Sequence, residues 1–372
     1  MTTPNKPIWA RDPHTAAKHQ IIQRYLQALF PILLINTGLK SITYAEGFAG
    51  PGAYEGGEPG SPVIAYAEAT RVLRDRPAKR VNFVLVEEQA DRLSILQEQM
   101  AKAGDPNPQA PTTYGRGTCA TTLLKTLEET GAFNGPIFAL LDSWGSPVIP
   151  HDLLPRIAAT QSSEVLITFQ PAFLARYGTV PQHQAAGDRA FGGEHWHSVF
   201  SLPSNQKYAY LVDAYRTSVK NAGFAYILSF ELVDEQGHEL HLLFGTNSTK
   251  GLEKMKDAMW KVDPIRGVHY RDPRDLDQEQ LEMTPEPGIG PLRRLIHTHL
   301  ATLGNTFTLG ALQQFALLET VYRPPHATAV VRALIQESII TRLDRGPLSL
   351  SSTLRLAPPK PKPSQASQEA LF

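Results

Sequence analysis

The sequence has one cysteine, Cys119, no long apolar run and no excess of charge of either sign. A single thiol excludes an intramolecular disulfide and a multi-cysteine zinc site, and such scarcity is typical of proteins from a reducing compartment. No stretch reaches the roughly 18 apolar residues of a membrane helix, and the N-terminus lacks the basic, apolar and small-residue order of a signal peptide. We therefore expect a cytoplasmic protein without a membrane partner.

The balance of charge limits any nucleic-acid site to a local patch. The 372 residues include 36 Lys and Arg against 36 Asp and Glu, so the whole surface has no field of one sign. A hydrophobic content of 42% supports a sizeable core. The length suits one large domain or two medium ones.

A glycine-rich loop between a predicted strand and a predicted helix carries the strongest indication of a ligand site. Residues 42–46 are rich in β-branched and aromatic side chains, six glycines follow within the next fourteen positions, and an alanine-rich helix is predicted over 63–73. Glycines let the backbone approach a ligand closely, and helix amides can face a polar group. We therefore predict that the loop binds a cofactor, through Glu46, Gly47, Phe48, Gly50 and Gly52.

Strands and helices alternate along the next part of the chain. Apolar strands are predicted at 80–88, 112–114, 137–145 and 165–169, separated by helices, so that with 42–46 they form a parallel sheet covered on both faces. The segments 226–233 and 238–245 flank a glycine-containing turn and predict a hairpin. The result is an α/β seven-stranded sheet with one reversed strand, the Rossmann-like architecture of class I S-adenosylmethionine (SAM) methyltransferases.

The glycine spacing and the hairpin favour SAM over a dinucleotide. The spacing Gly47-x-x-Gly50-x-Gly52 differs from the G-x-G-x-x-G pattern of dinucleotide folds. Glu87 or Glu88, at the end of the second strand, is predicted to accept hydrogen bonds from both ribose hydroxyls of the cofactor. A nicotinamide-dependent reductase remains the less favoured alternative.

Other stretches leave their roles open. The predicted helix 14–34 buries an apolar stripe, and Lys18 and His19 near its start either close over a cofactor edge or form solvated ends. Residues 171–203 form a polar and aromatic insertion of the kind that builds a substrate wall or lid. We assign no metal site, because His195 and His197 have no third ligand in view.

Four segments resemble the three-Cys-motif partner family, a set of bacterial proteins with a methyltransferase-like fold. These segments are 14–30, 46–62, 163–167 and 255–264, and they follow the family's order over roughly residues 10–270. The resemblance implies a SAM-binding domain. It also implies a partner protein with three cysteines that is similar to radical-SAM enzymes.

The end of the fourth strand matches the family in part. Where the family has Asp-Pro-aromatic-Gly, this sequence has Asp142-Ser143-Trp144-Gly145. The resemblance implies that Asp142 accepts the hydrogens of a target amine and that Trp144 stacks on a base. Ser143 lacks the fixed φ of proline. The alternative is that Asp142 caps the following loop and Trp144 packs in the core.

The C-terminal part predicts a second domain. After a Pro- and Gly-punctuated linker at 271–290, three helices and a hairpin over 291–356 are typical of a winged helix, and 357–372 predict a disordered tail. This domain either binds protein or reads DNA. In the second case its third helix presents His326, Thr328 and Arg332 to the groove, while Arg342 and Arg345 lie near phosphate.

The leading hypothesis is a SAM-binding, methyltransferase-like protein that acts on a nitrogen of a nucleic acid. The methyltransferase-like domain is predicted to span 1–270. The alternative is a non-catalytic adaptor of the same fold, which assists a radical-SAM-like partner or binds DNA through the winged helix.

Overall fold

The computed structural model describes residues 6–143, 148–233, 239–262, 269–270 and 288–357. The chain divides into two compact units, Met1–Glu286 and Pro287–Phe372. Within the described part of the chain, none of the helices combines the length and the apolar character that a membrane crossing needs.

The first unit is built on a mixed β-sheet. Its strands run in the spatial order β3-β2-β1-β4-β5-β7-β6-β8, and β7 is antiparallel to both of its neighbours. The predicted seven-stranded sheet with one reversed strand is therefore confirmed, and β8 adds a short parallel strand beside β6. The strands are β1 (Ser41–Glu46), β2 (Arg80–Glu87), β3 (Thr112–Arg116), β4 (Ile137–Leu141), β5 (Glu164–Phe169), β6 (Tyr226–Val233), β7 (Glu239–Thr246) and β8 (His269–Tyr270).

Helices cover both faces of this sheet. They are α1 (Pro13–Pro31), α2 (Ser61–Leu73), α3 (Ala90–Lys102), α4 (Leu124–Glu129), α5 (Leu153–Ala159), α6 (Pro171–Tyr177), α7 (Pro181–Phe191), α8 (Ser204–Asn221) and α9 (Thr249–Val262). Helix α1 packs between α2 and α9 on one face. The opposite face is filled by one buried apolar cluster that includes Leu127 of α4, Ile157 of α5 and Tyr215 of α8. Because both faces are covered, all five residues of β4 are buried.

Helix α1 crosses the sheet face with one side fully buried. Asp12 caps its N-terminus by accepting the Thr15 amide at 2.8 Å, and Pro13 occupies the first turn. The buried stripe contains Lys18, Ile22 and Tyr25, which lie one helical turn apart. Lys18 is therefore a charged residue at a position that the helical period assigns to the core.

A buried carboxylate anchors the middle of α1 to the sheet. Glu164, at the start of β5, accepts hydrogen bonds from the hydroxyls of Tyr25 and Thr246, the latter at 2.8 Å. The Tyr25 ring also packs against Phe138 of β4 and Phe244 of β7. Burial raises the pKa of Glu164 to about 7, although its two hydrogen bonds oppose that rise.

The predicted insertion at 171–203 is folded into helices. Helices α6 and α7 are followed by a 3-10 segment, Glu194–Ser201, and Trp196 and Phe191 are buried in stacked contact. Asp188 accepts hydrogen bonds from Trp196 at 2.9 Å and from His197 at 2.6 Å. The aromatic residues of the insertion therefore extend the apolar cluster that covers the sheet face opposite α1, and Phe191 contacts Phe169 of β5 and Tyr215 of α8.

Within residues 288–357, the second unit has three helices and a small antiparallel sheet. The helices are α10 (Gly290–Leu300), α11 (Leu309–Glu319) and α12 (Pro324–Gln336), and the strands are β9 (Phe307–Thr308), β10 (Ile340–Arg342) and β11 (Thr353–Leu356). The sheet order is β10-β11-β9. The three predicted helices are present, whereas the second hairpin arm begins at Thr353, beyond the predicted residues 339–350. The winged-helix assignment stays a prediction.

Replacing Glu164 by glutamine should remove one source of pH-dependent stability. Because its pKa rises from 4.5 to about 7 on folding, the folded protein binds more protons than the unfolded chain between these values. The free energy of unfolding gained from this group therefore falls as the pH rises from 4.5 to 7. Urea unfolding of the wild-type protein and Glu164→Gln at pH 5 and pH 7 should show their stability difference shrinking at pH 7. A difference that is independent of pH would contradict the assignment.

Candidate cofactor site

A cavity of about 250 Å³ lies at the carboxyl ends of β1, β2, β3 and β4. This is the edge at which open α/β sheets bind ligands. Its walls come from the start of α1, the glycine-rich loop, and the residues that follow three further strands. The lining residues are Trp9, Thr15, Lys18, Gly47, Phe48, Ala49, Gly50, Pro51, Gly52, Ala53, Tyr54, Gly60, Ser61, Glu87, Glu88, Gln89, Arg92, Gly117, Thr118, Cys119, Asp142, Ser143 and Val148.

The glycine-rich loop lies directly on the strand ends. The Gly47 amide donates to Leu140 of β4 at 3.3 Å, and the Ala49 amide donates to Val86 of β2 at 2.9 Å. A Cβ at Gly47 would lie 2.5 Å from the Cys119 sulfur. Gly50 has φ +62° and lines the cavity, where a Cβ would project into the space below Trp9, 4.0 Å away. The loop therefore leaves open the space that a ligand needs.

The structure separates the two acids at the end of β2. Glu87 is buried, and its carboxylate accepts the amides of Gly50 and Gln89, both at 2.9 Å. Glu88 is exposed, although it also borders the cavity. Glu87 therefore ties the glycine-rich loop to the start of α3. Its oxygens keep lone pairs for further donors, because a carboxylate has about four acceptor positions.

Glu46 differs from the other predicted cofactor residues. Its carboxyl group accepts hydrogen bonds from Tyr44 at 2.5 Å and from Ser61 at 2.9 Å, and it is absent from the described lining of the cavity. Burial raises the pKa of Glu46 to about 8. Glu46 is therefore a neutral group at pH 7 that connects the end of β1 to the start of α2 outside the cavity lining. Gly47, Phe48, Gly50, Gly52, Glu87 and Glu88 all line the cavity, and their role in binding stays a prediction.

An ion pair joins α1 to the end of β4 in the cavity wall. The Lys18 ammonium donates to Asp142 Oδ2, and the two side chains are 8% and 17% exposed. Burial alone raises the pKa of Asp142, but the Lys18 charge and hydrogen bond more than offset this and hold that pKa below its usual range. Neighbouring His19 is buried beside the Tyr54 ring, and burial lowers its pKa to about 3. Lys18 and His19 are thus buried rather than solvated.

The segment before α1 covers the glycine-rich loop. The carbonyl of Trp9 accepts the Glu55 amide at 3.0 Å, and the Trp9 ring contacts Tyr54 edge to face. The Arg92 guanidinium lies 4.9 Å from the centre of the Trp9 ring and donates to the Lys6 carbonyl. Trp9 thus forms a wall of the cavity that no sequence motif indicated.

The remaining predicted residues divide between two regions. Trp144 lies outside the described residues, and Ser143 before it is buried. In the second unit, His326 is buried and accepts the Arg323 amide at 3.3 Å, while Thr328 accepts a hydrogen bond from Gln313. Arg342 is held by Asp344, whereas Arg332 and Arg345 are exposed. Their part in nucleic-acid binding stays a prediction.

The sequence analysis did not predict that Trp9 and Arg92 line the cavity. Trp9 and Arg92 reach the cavity through contacts between distant segments, which local periodicity does not report. The position of Lys18 could have been interpreted from the sequence, because a lysine on the apolar stripe of a helix needs a buried partner of opposite charge. Among the described residues, no group of three His, Cys, Asp or Glu side chains could hold a metal ion.

The strand order with one reversed strand defines a Rossmann-like, class I methyltransferase-like fold. No protein-family model and no curated protein matches this chain. Among solved structures, Trm1 from Pyrococcus horikoshii, determined with S-adenosyl-L-methionine, is 12% identical over 68% of this chain and 61% of that chain, with a TM-score of 0.35.

Two further solved structures are similarly distant. A putative class I SAM-dependent methyltransferase from Listeria monocytogenes is 8% identical over 64% of this chain and 63% of that chain, with a TM-score of 0.32. Spermidine synthase from Thermotoga maritima is 8% identical over 70% and 68%, with a TM-score of 0.34. The match spans about three fifths of the first two proteins.

Replacing Gly47 by alanine should destabilise the first unit by about 1 to 3 kcal/mol, because the new Cβ overlaps the Cys119 sulfur. Adding Cys119→Ala removes that sulfur and should recover part of the loss. Chemical unfolding of both single variants and the double variant measures the coupling. Gly135→Ala is the matched control, because its Cβ has its nearest neighbour at 3.6 Å. Additive effects of Gly47→Ala and Cys119→Ala would contradict the close approach.

Proposed function

We propose that the first unit binds SAM in this cavity and presents it for methyl transfer. The observation that carries the proposal is Glu87, a buried carboxylate that is held by two backbone amides at the end of β2 and borders the glycine-rich loop. A carboxylate in this place suits the two neighbouring hydroxyls of a ribose. The cavity of about 250 Å³ that Glu87 borders leaves room for the ligand beside it.

The shape of the sheet supports SAM rather than a nicotinamide dinucleotide. The β6–β7 hairpin places a reversed strand between β5 and β6, as the sequence predicted. The first loop has glycines at 47, 50 and 52, outside the dinucleotide spacing. SAM has no pyrophosphate, so its site needs no cationic group of the kind that a dinucleotide requires.

The proposed reaction is methyl transfer to a nitrogen. Bound SAM supplies an electrophilic methyl group on its sulfonium. Asp142 lies at the end of β4 beside the cavity, and its ionised carboxylate can accept a hydrogen bond from the target nitrogen and orient its lone pair. Transfer to the nitrogen would leave S-adenosylhomocysteine, which keeps the electron pair of the carbon–sulfur bond, and the proton of the nitrogen would pass to solvent water.

We propose nucleic acid as the class of acceptor. Seven arginines and three acidic residues lie between Gly290 and Leu356, and Arg332 and Arg345 are exposed there. The resemblance to the three-Cys-motif partner family covers roughly residues 10–270 and therefore supports the SAM-binding unit only. It also suggests a partner protein similar to radical-SAM enzymes.

A second candidate function is a non-catalytic adaptor with the same fold. The observation that favours it is the ion pair at Asp142, since Lys18 already occupies one of the two oxygens of that carboxylate. In this case the cavity binds a ligand without turnover, and the second unit carries the activity of the protein.

Titration with SAM should separate the two acids at the end of β2. Glu87→Gln removes the charge and leaves a backbone amide without an acceptor, so SAM affinity should fall about tenfold to a hundredfold. Glu88→Gln, at the exposed neighbour, should change it less than about twofold. Isothermal titration calorimetry on the folded proteins measures both. The absence of SAM binding to the wild-type protein would refute the proposed function.

Asp142→Ala should distinguish the enzyme from the adaptor. If Asp142 orients the nucleophile, transfer of labelled methyl groups from SAM to total RNA or genomic DNA should fall by about two to four orders of magnitude. No labelling by the wild-type protein would favour the adaptor, whereas equal labelling by the variant would contradict the role of Asp142 in an enzyme that still transfers methyl groups.

A further inference from the structure

The charged residues of the cavity wall fall into two groups at opposite ends. Glu87, Glu88 and Arg92 lie where β2 passes into α3, whereas Lys18 and Asp142 lie where α1 meets β4. The strand order separates β4 from β2 by β1 and from β3 by two strands. At about 4.8 Å per strand, β2 and β4 lie roughly 10 Å apart. An elongated ligand can therefore span both groups.

The Lys18–Asp142 ion pair is expected to contribute little to the free energy of unfolding. Both side chains lose most of their hydration, and an apolar pair of similar volume generally packs at least as well. The neighbouring positions on the same stripe of α1, Ile22 and Leu26, are apolar. One positive and one negative group, side by side in a cavity wall, match a ligand that carries both charges on adjacent groups.

We propose that Lys18 and Asp142 form the receptor for the zwitterionic amino-acid end of SAM, with Lys18 binding the α-carboxylate and Asp142 binding the α-ammonium. This inference rests on the proposed function. Ligand entry would open one ion pair and form two, so no buried charge is left without a partner. A carboxylate has two oxygens, so Asp142 retains one for a target nitrogen.

Other ionisable groups near this end are unsuited to the task. Glu46 is neutral at pH 7 because burial raises its pKa to about 8, and His19 is neutral because burial lowers its pKa to about 3. Arg92 packs on Trp9 at the opposite end of the cavity. Among the described lining residues, Lys18 is the cation beside Asp142, so the task falls to this pair.

The test compares two ligands that share the nucleoside, of which SAM alone has the amino-acid chain and, with it, the positive charge on sulfur. SAM carries the α-ammonium and α-carboxylate, and 5′-methylthioadenosine carries neither. Lys18→Met should weaken SAM binding about thirtyfold or more, because it leaves the carboxylate and Asp142 without their cation. Binding of 5′-methylthioadenosine should change less than about threefold. Calorimetric titration of each ligand gives the affinity ratio directly.

Two further variants serve as controls. Lys18→Glu combined with Asp142→Lys keeps an ion pair and reverses its polarity, so the preference for SAM over 5′-methylthioadenosine should disappear while the nucleoside still binds. Lys125→Met removes an exposed lysine from α4, whose side chain is 73% exposed, and should leave both affinities unchanged.

The outcomes distinguish this inference from the proposed function. If the wild-type protein binds SAM and the ratio of the two affinities is the same in Lys18→Met and in the reversed pair, the receptor role is wrong and SAM binding stands. If both ligands are lost together from both variants, the pair serves the fold and the inference also fails. If the wild-type protein binds neither ligand, the proposed function falls with it.

Discussion

Two carboxylates at opposite ends of the central strands, the partly buried Asp142 and the buried Glu164, each require a partner, and helix α1 provides both. Lys18 pairs with Asp142 after β4, and Tyr25 donates to Glu164 at the start of β5. The two α1 residues are seven positions apart on one helix face, a distance of roughly 10 Å along the axis. Removing either partner would leave a polar group buried without compensation. The position of α1 on the sheet therefore depends on these contacts as well as on its apolar stripe.

This constraint connects the core to the cavity. The same helix that fills the sheet face with Ile22 and Tyr25 brings Thr15 and Lys18 to the cavity wall. On the other side, Gly47 brings the loop against Cys119, whose thiol is buried and has its pKa raised to about 12 by that burial. Packing on both faces of β1 thus positions the two walls of the cavity.

Several features could be predicted because they depend on local patterns. Apolar strands that alternate with helices predicted the parallel sheet, and a glycine-containing turn between two β-rich segments predicted the hairpin that reverses β7. The 171–203 insertion was harder, because its helices α6 and α7 are short and their apolar residues follow no clear period. Sequence also could not choose between Glu87 and Glu88. A strand points successive side chains to opposite faces, and only the surrounding packing decides which one is buried.

The winged-helix prediction rested on helix spacing, and the structure describes the three helices with a three-stranded sheet in which β9 was not foreseen. Two-residue strands carry too little pattern to be recognised alone. The exposed or buried state of individual residues was beyond sequence as well. His326 turns inward to its own helix start, while Arg332 on the same helix is exposed.

The sequence by itself determined the order of strands and helices, the glycines that allow a loop to approach a ligand, and the acids that follow β2 and β4. These are properties of short segments, because strand and helix periods and glycine's backbone freedom act over a few residues. Only the tertiary structure decided that Glu87 holds the loop, that Glu46 lies behind it as a neutral group, and that Asp142 meets Lys18 across 124 residues of sequence. The physical reason is that burial and pairing of charges depend on which distant segments come together.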